Sequence, residues 1–332
     1  MRAALLTAIP TRSLALGTIA DPVPAANELL VAVEACGVCG TDLHVLEGTS
    51  YRPTLPFVLG HEPVGRVIGA GAQVDGSWVG QHVTCTLFTG CGRCELCQLG
   101  DERLCPELVS IHGVLGQNGG FAEQMTIRAA QAVAVPDGLT SDAAASLVDA
   151  GATATNTVRV IRDAPAGPAV VVGGGPVGFY VAELLRAEGR DITIVQPSAT
   201  RREMLAARGY RVATALTEVL EDPAVVVDCA GAPESLPWAV DRLRPRGQFV
   251  AAGYGPVDHL HLAPAARKEL LITGVRSGRR EDLERILDLV ARGMVSNPPL
   301  QSWPLEAVND AIGALRERKV PGKALIHPTQ LH

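Results

Sequence analysis

A chain of 332 residues with a formal charge of −6 at pH 7 is too long for one comfortable core and too acidic for a general nucleic-acid binder, which needs an excess of Lys and Arg. Hydrophobic residues at 47% against charged residues at 19% exclude gross disorder, and aromatics at 4% leave the packing to Ala, Val, Leu and Gly. No stretch has the length and apolarity of a membrane span, and "MRAALLTAIP" lacks a signal-peptide core and cleavage site, so the expectation is a soluble, cytoplasmic protein of two domains.

The opening decapeptide reads as a first β-strand. Short apolar runs broken by Gly and Pro follow, among them "ELLVAVEACG", "PVGRVIGAG" and "WVGQHVTCTLF", and they predict a β-rich first domain. Inside it, "CGRCELCQLGDERLC" gathers Cys91, Cys94, Cys97 and Cys105 in the spacing C-x2-C-x2-C-x7-C. Cytosolic thiols stay reduced, so the cluster points to a metal before disulfides or unconnected thiols. Four thiolates close a tetrahedral zinc shell and leave no position for a substrate, which makes this a structural site. Glu95, Asp101, Glu102 and Glu107 in and beside the loop argue against a nucleic-acid-binding zinc ribbon.

From about residue 141 the texture changes. "SDAAASLVDAGATATNTVRVIRD" reads as one helix with Ser141 as its N-cap. "AVVVGGGPVGFYVAELLRAEG" is strand, glycine turn and helix, with Val177, Val181, Leu184 and Leu185 on one helical face. Further strands are expected at "DITIVQ", "AVVVDCAG", "GQFVAAG" and "ELLITGV"; alternation with helices implies right-handed βαβ units and a parallel sheet. Beyond Gly274, "REDLERILDLVARG" is an amphipathic helix closed by Gly293, and "KVPGKALIHP" returns to strand.

Gly173, Gly175 and Gly178 form G-x-G-x-x-G, with Pro176 and Val177 between them, directly after a strand and before a helix. That context marks a dinucleotide site, where glycines let a pyrophosphate approach the backbone at a helix N-terminus. An NAD site usually carries Asp or Glu at the end of the second strand; here Gln196 is followed by Ser198, Arg201 and Arg202. No carboxylate is there to repel a 2′-phosphate and two guanidiniums can pair with one, which favours NADP(H). The alternative is NAD(H), with Gln196 on the ribose and both arginines on a solvated helix start.

The segments "GVCGTDLH", "GHEPVG", the four-cysteine loop, "GGFAE", "VVVGGGPVG" and "VPGKALI", in this order, resemble the zinc-dependent medium-chain dehydrogenase/reductase family of alcohol and polyol dehydrogenases nearly end to end. The resemblance implies an α/β protein: a GroES-like β-barrel catalytic domain (1–149 and 275–332, structural zinc lobe 91–105) joined to a doubly wound parallel Rossmann domain (150–274), with a catalytic zinc in the cleft. It makes Cys39 and His61 catalytic ligands, puts Asp149 where the third ligand is usually Cys, and places Glu62 in or beside the shell. Thiolate, imidazole and carboxylate still balance Zn2+, and a carboxylate is an acceptable zinc ligand. Asp42 is then expected to orient the ligands, Thr41 and His44 to relay a proton, Lys323 to pair with the cofactor pyrophosphate and Phe88 to wall the substrate pocket. Cys36, Cys85 and Cys229 are left as packing residues.

The implied function is hydride transfer between a small-molecule alcohol or carbonyl substrate and NAD(P)(H), with two zincs per chain, no nucleic-acid or membrane partner, and a homodimer or homotetramer. A zinc-independent quinone or enoyl reductase of the same fold would have no use for the Cys39, His61 and Asp149 set. A dinucleotide-binding redox sensor without turnover would have no use for Thr41 and His44.

Overall fold

The computed structural model describes residues 1–161 and 163–329. They form two compact units: Met1–Asp149 with Arg279–Ala291 and Pro299–His332, and Ala150–Gly278 with Arg292–Pro298. Residues 275–278 and 292–298, which the sequence reading placed in the first domain, group with the second. Hydrogen bonds account for this. Asn156 Nδ2 donates to the Ser277 carbonyl at 2.7 Å, and the Ser296 amide donates to Glu183 at 3.0 Å. On the other side of the boundary, Arg280 donates to the Ala132 carbonyl at 2.9 Å, within the first unit.

The first unit is GroES-like and β-rich. Its main sheet runs Ala132–Ala134, His82–Cys85, Glu62–Ala70, Glu28–Val38, Lys323–His327, Leu300–Pro304, and Gln124–Arg128 also pairs with Glu28–Val38. The central strand Glu28–Val38 alternates buried and half-buried residues, then becomes wholly buried from Ala35 to Val38. Register shifts at Leu30/Val31 and Val33/Ala35 bend it. Its buried end delivers the chain to the helix Gly40–Glu47.

The second unit is a six-stranded parallel sheet in the order Arg211–Ala213, Ile192–Val195, Ala169–Val172, Val225–Asp228, Gln248–Ala251, Leu271–Gly274. By chain position that is the 3-2-1-4-5-6 order of a Rossmann sheet, whose direction reverses between Ala169–Val172 and Val225–Asp228. Val170, Val172, Val195, Val226 and Phe249 carry the core on one face, against Ala239 and Leu243. The strands buried on both faces are the near-continuous apolar runs seen in the sequence.

The expected helix from residue 141 is two helices, Ser141–Ala145 and Ala150–Val160, separated by turns at 146–149. Its N-cap is Thr140, whose hydroxyl accepts from the Ala143 amide at 3.2 Å; Ser141 instead hydrogen-bonds His82 Nε2 at 3.0 Å and the Glu34 carboxylate. The break leaves Asp149 at the start of the second helix. No helix among the described residues is long and apolar enough to cross a membrane.

Candidate metal centres and dinucleotide site

Cys39 is the N-cap of the helix Gly40–Glu47, in extended conformation (φ −132°, ψ 166°). Asp42 completes a capping box: its Oδ2 accepts from the Cys39 amide at 2.9 Å, while Oδ1 lies 3.4 Å from His61 Nδ1. One fully buried carboxylate thus positions both a thiol and an imidazole. With Nδ1 turned to Asp42, the proton of a neutral His61 belongs there and Nε2 keeps its lone pair for an ion. His61 Nε2 is buried, has no hydrogen-bond partner, and stands 3.8 Å from Asp149 Oδ2.

Ligand atoms of Cys39, His61, Glu62 and Asp149 all lie within 4.8 Å of one another. Glu62 pairs with Gly37 across the ladder, and a Cβ on Gly37 would lie 2.1 Å from Glu62 Oε2; only glycine leaves room for this carboxylate. The electrostatics call for a cation. Burial alone would lower the pKa of His61, yet Asp42, Asp149 and Cys39 together drive it well above its ordinary value. Glu62 is raised by burial, opposed by Lys323 and His61. A buried, partnerless imidazole nitrogen facing a thiol and carboxylates fits zinc, which takes sulfur, nitrogen and oxygen donors.

Lys323 departs from the sequence expectation. Its ammonium is 2% exposed and ion-paired with the fully buried Glu62. The partner within the chain is this carboxylate. Nothing in the sequence pattern signals the pair, because its members come from strands far apart in the chain.

Thr41 stays beside the thiol, its Oγ1 3.9 Å from Cys39 Sγ. His44 is exposed one turn further along the helix, with Thr49 Oγ1 3.4 Å from its Nδ1. Phe88 is half-buried on the short strand Phe88–Thr89, paired with Ile111. Cys36 and Cys85 are fully buried and outside the ligand group; burial pushes the Cys85 thiol up to about 12 and raises Cys36 and Cys229 as well.

The four-cysteine loop is a second centre. Cys91, Cys94, Cys97 and Cys105 bring their sulfurs within 4.8 Å, with Cys94 3.5 Å from Cys97 and 3.8 Å from Cys105. A Zn–S bond of about 2.3 Å in a tetrahedron sets sulfurs about 3.8 Å apart, whereas a disulfide sets them about 2.05 Å apart. Backbone amides of Arg93 and Cys94 point at the Cys91 sulfur and lower its pKa, preparing a thiolate. Asp101, 3% exposed, ties the loop down through Arg103 at 2.7 Å and Arg279 at 2.5 Å.

In the second unit Gly175 caps the helix Pro176–Ala187, with Pro176 in its first turn. A Cβ on Gly178 would lie 1.9 Å from the Gly173 carbonyl oxygen, so helix and turn pack at glycine distance. Val181, Leu184 and Leu185 are buried and Val177 is half-buried on this helix. Gln196 is buried and its Oε1 accepts from the Ser198 amide at 3.0 Å. The two arginines divide. Arg202 donates to the carbonyls of Gln196 (2.9 Å) and Pro197 (2.5 Å), shaping the turn. Arg201 reaches over the glycines, Nη1 3.7 Å from where a Gly175 Cβ would stand. Asp228, missed in the sequence, accepts from the amides of Ala230, Gly231 and Ala232 and orders the loop after its strand. The signal was an acid closing an apolar strand just before a glycine.

A family model described as "Alcohol dehydrogenase GroES-like domain" matches residues 25–137, and one described as "Zinc-binding dehydrogenase" matches residues 203–326. The chain is 30% identical over 294 residues to the L-galactonate-5-dehydrogenase of Escherichia coli (strain K12), covering 83% of each chain. It is 28% identical over 314 residues to an alcohol dehydrogenase of Geobacillus stearothermophilus, covering 90% of this chain and 91% of that one. The cobalt- and zinc-bound thermostable alcohol dehydrogenase from Pyrobaculum aerophilum superposes with a TM-score of 0.89 at 29% identity, over 99% of both chains. With both domain types matched and dehydrogenases aligned along most of its length, this chain belongs to the zinc-type medium-chain dehydrogenase/reductase family and is an oxidoreductase of the alcohol dehydrogenase type.

Proposed function

We propose that this chain is a zinc-dependent alcohol dehydrogenase or carbonyl reductase that uses NADP(H) in preference to NAD(H), with one catalytic and one structural zinc per chain. The observation that carries the reading is the buried, partnerless His61 Nε2 facing Cys39 and Asp149. Zinc supplies Lewis acidity toward the substrate oxygen, and the dinucleotide takes or gives the hydride. Cys39, His61 and Asp149 hold the ion, and Asp42 fixes the first two. The Thr41 hydroxyl, beside Cys39, would accept the proton of the substrate hydroxyl while passing its own to the cofactor ribose, and the exposed His44 would take the ribose proton and exchange it with solvent. The second centre, with Cys91, Cys94, Cys97 and Cys105, holds its zinc structurally.

Support for NADP(H) is the absence of a carboxylate at Gln196 and the placement of Arg201 over the glycine turn. Gly173, Gly175, Gly178 and Ser198 frame the phosphates, and Arg201 and Arg202 are the candidates to pair with the 2′-phosphate. A homodimer or homotetramer is supported by the edge strand Leu271–Gly274, which leaves Leu271 49% and Ile272 38% exposed.

The test combines metal analysis with turnover. Two zincs per chain are expected, one of them lost in Asp149→Ala together with oxidation of alcohols by NADP+. Undiminished turnover in metal-depleted Asp149→Ala would refute the reading, and a lower KM for NADH than for NADPH would refute the cofactor preference.

A further inference from the structure

Asp149 reaches the ligand group by a different route from Cys39 and His61. Cys39 directly follows the strand Glu28–Val38 and His61 directly precedes the strand Glu62–Ala70, so the sheet itself sets both. Asp149 comes after the short helix Ser141–Ala145, which packs over those two strands. A helix of five residues is too short to hold itself in place, so side chains must fix it on the sheet.

Its first two residues do this. Ser141 donates its hydroxyl proton to Glu34, on the strand that leads to Cys39, and its oxygen lies 3.0 Å from His82 Nε2. Asp142 Oδ1 accepts from His327 Nε2 at 2.6 Å, and its Oδ2 accepts from the Ser302 hydroxyl at 3.1 Å. In the sheet, His82 belongs to the second strand away from Glu28–Val38 on one side, and Ser302 to the second strand away on the other. The helix is therefore gripped from both flanks. Hydrogen bonds carry the placement forward. The Ser146 amide donates to the Asp142 carbonyl at 3.2 Å, the Ser146 hydroxyl to the Ala143 carbonyl at 2.7 Å, and the Leu147 amide to the Ala144 carbonyl at 2.9 Å. Leu147 and Val148 are buried, and Asp149 is the next residue.

We infer that Asp142 is a positioning residue for the metal centre: held by His327 and Ser302, it sets where Asp149 stands. The inference rests on the proposal that Asp149 is a metal ligand. It gives the Asp142–His327 pair a task in metal binding, exerted through the third ligand.

Zinc affinity, read by competition with a chromophoric chelator, tests it in a double-mutant cycle that follows the weaker of the two zincs. Asp142→Ala is expected to lower that affinity by about tenfold, as loss of an orienting partner does. Asp142→Asn keeps an oxygen for His327 and an amide for Ser302, and binds zinc like the wild type. In an Asp149→Ala background, Asp142→Ala has no further effect, because the ligand it positions is gone. A purely structural role would weaken zinc equally in both backgrounds.

Equal losses in the two backgrounds, or no loss in Asp142→Ala, overturn the inference. If Asp149→Ala binds zinc too weakly to titrate, the two Asp142 substitutions decide: loss in Asp142→Ala alone supports the inference, and loss in both overturns it. If Asp142→Ala does not fold, His327→Leu removes the same bond from the strand side, and His327→Leu and His327→Gln take the places of the two Asp142 variants. Wild-type zinc affinity in Asp149→Ala removes the metal-ligand reading itself, a failure visible before any Asp142 variant is made.

Discussion

Replacing Asp42 with Asn should damage the metal centre while preserving shape. The carboxylate is fully buried and does two things: Oδ2 accepts from the Cys39 amide at 2.9 Å and Oδ1 faces His61 Nδ1 at 3.4 Å. An amide cannot do both. If its oxygen stays on Cys39, its NH2 faces His61 and forces Nδ1 to accept, moving the imidazole proton to Nε2, where the ion should sit. If the amide flips, its NH2 meets the Cys39 amide, donor against donor. Either way one buried group is left unsatisfied, at about 1–3 kcal/mol. Loss of such an orienting partner typically lowers metal affinity about 10–100-fold. Competition between Asp42→Asn and a chromophoric zinc chelator measures the affinity, and urea unfolding in excess zinc measures the stability. The tautomer argument is refuted if Asp42→Asn holds its weaker zinc as tightly as the wild type.

Other consequences are simpler to check. Cys94→Ala should lower the thermal midpoint by several degrees and release one zinc, with the fall in kcat following the unfolded fraction; a stable variant retaining both zincs contradicts the structural assignment of the loop. Gly178→Ala should destabilise the second unit and abolish dinucleotide binding, because its Cβ meets the Gly173 carbonyl oxygen at 1.9 Å; calorimetric titration with NADPH reads this directly. A third expectation concerns pH. The bond to Asp142 raises the pKa of His327, outweighing burial, so this contribution to stability is full below the unfolded value of about 6.5 and is lost as pH rises through the folded value. Burial would raise Asp142, but His327 and Ser302 hold it below its ordinary value, so its contribution is lost as pH falls through that lowered value. Thermal midpoints of wild type and His327→Gln should therefore converge toward alkaline pH; a constant gap from pH 5 to 9 would sink the assignment.

Legibility in the sequence followed range. The βαβ strands and the glycine turn were visible because each is a local pattern of periodicity and punctuation. The cysteine loop was visible for the same reason. Arg211–Ala213 and Leu300–Pro304 were not anticipated: the first has only three residues and the second is largely exposed, so neither shows a clean apolar alternation. Ser141 looked like a cap until His82 and Glu34, distant in sequence, were found to hold its hydroxyl. The turns at 146–149 carry no Gly or Pro to announce them, yet they place Asp149. Lys323 was read from its motif, and its motif does not contain Glu62. Residues 292–298 join the second unit through Glu183 and Tyr180, contacts that no local pattern encodes.

The Lys323–Glu62 contact also orders events during biosynthesis. Cys39, His61 and Glu62 leave the ribosome early, and the ammonium that neutralises Glu62 follows only after Asp149 and the whole second unit have been made. At about 5–20 residues per second, the nascent chain exposes an over-anionic cluster for many seconds. An ion captured in that interval would meet Glu62 as a willing ligand, and the arriving C-terminal strand would have to pry it loose. Metallation after release from the ribosome avoids that trap.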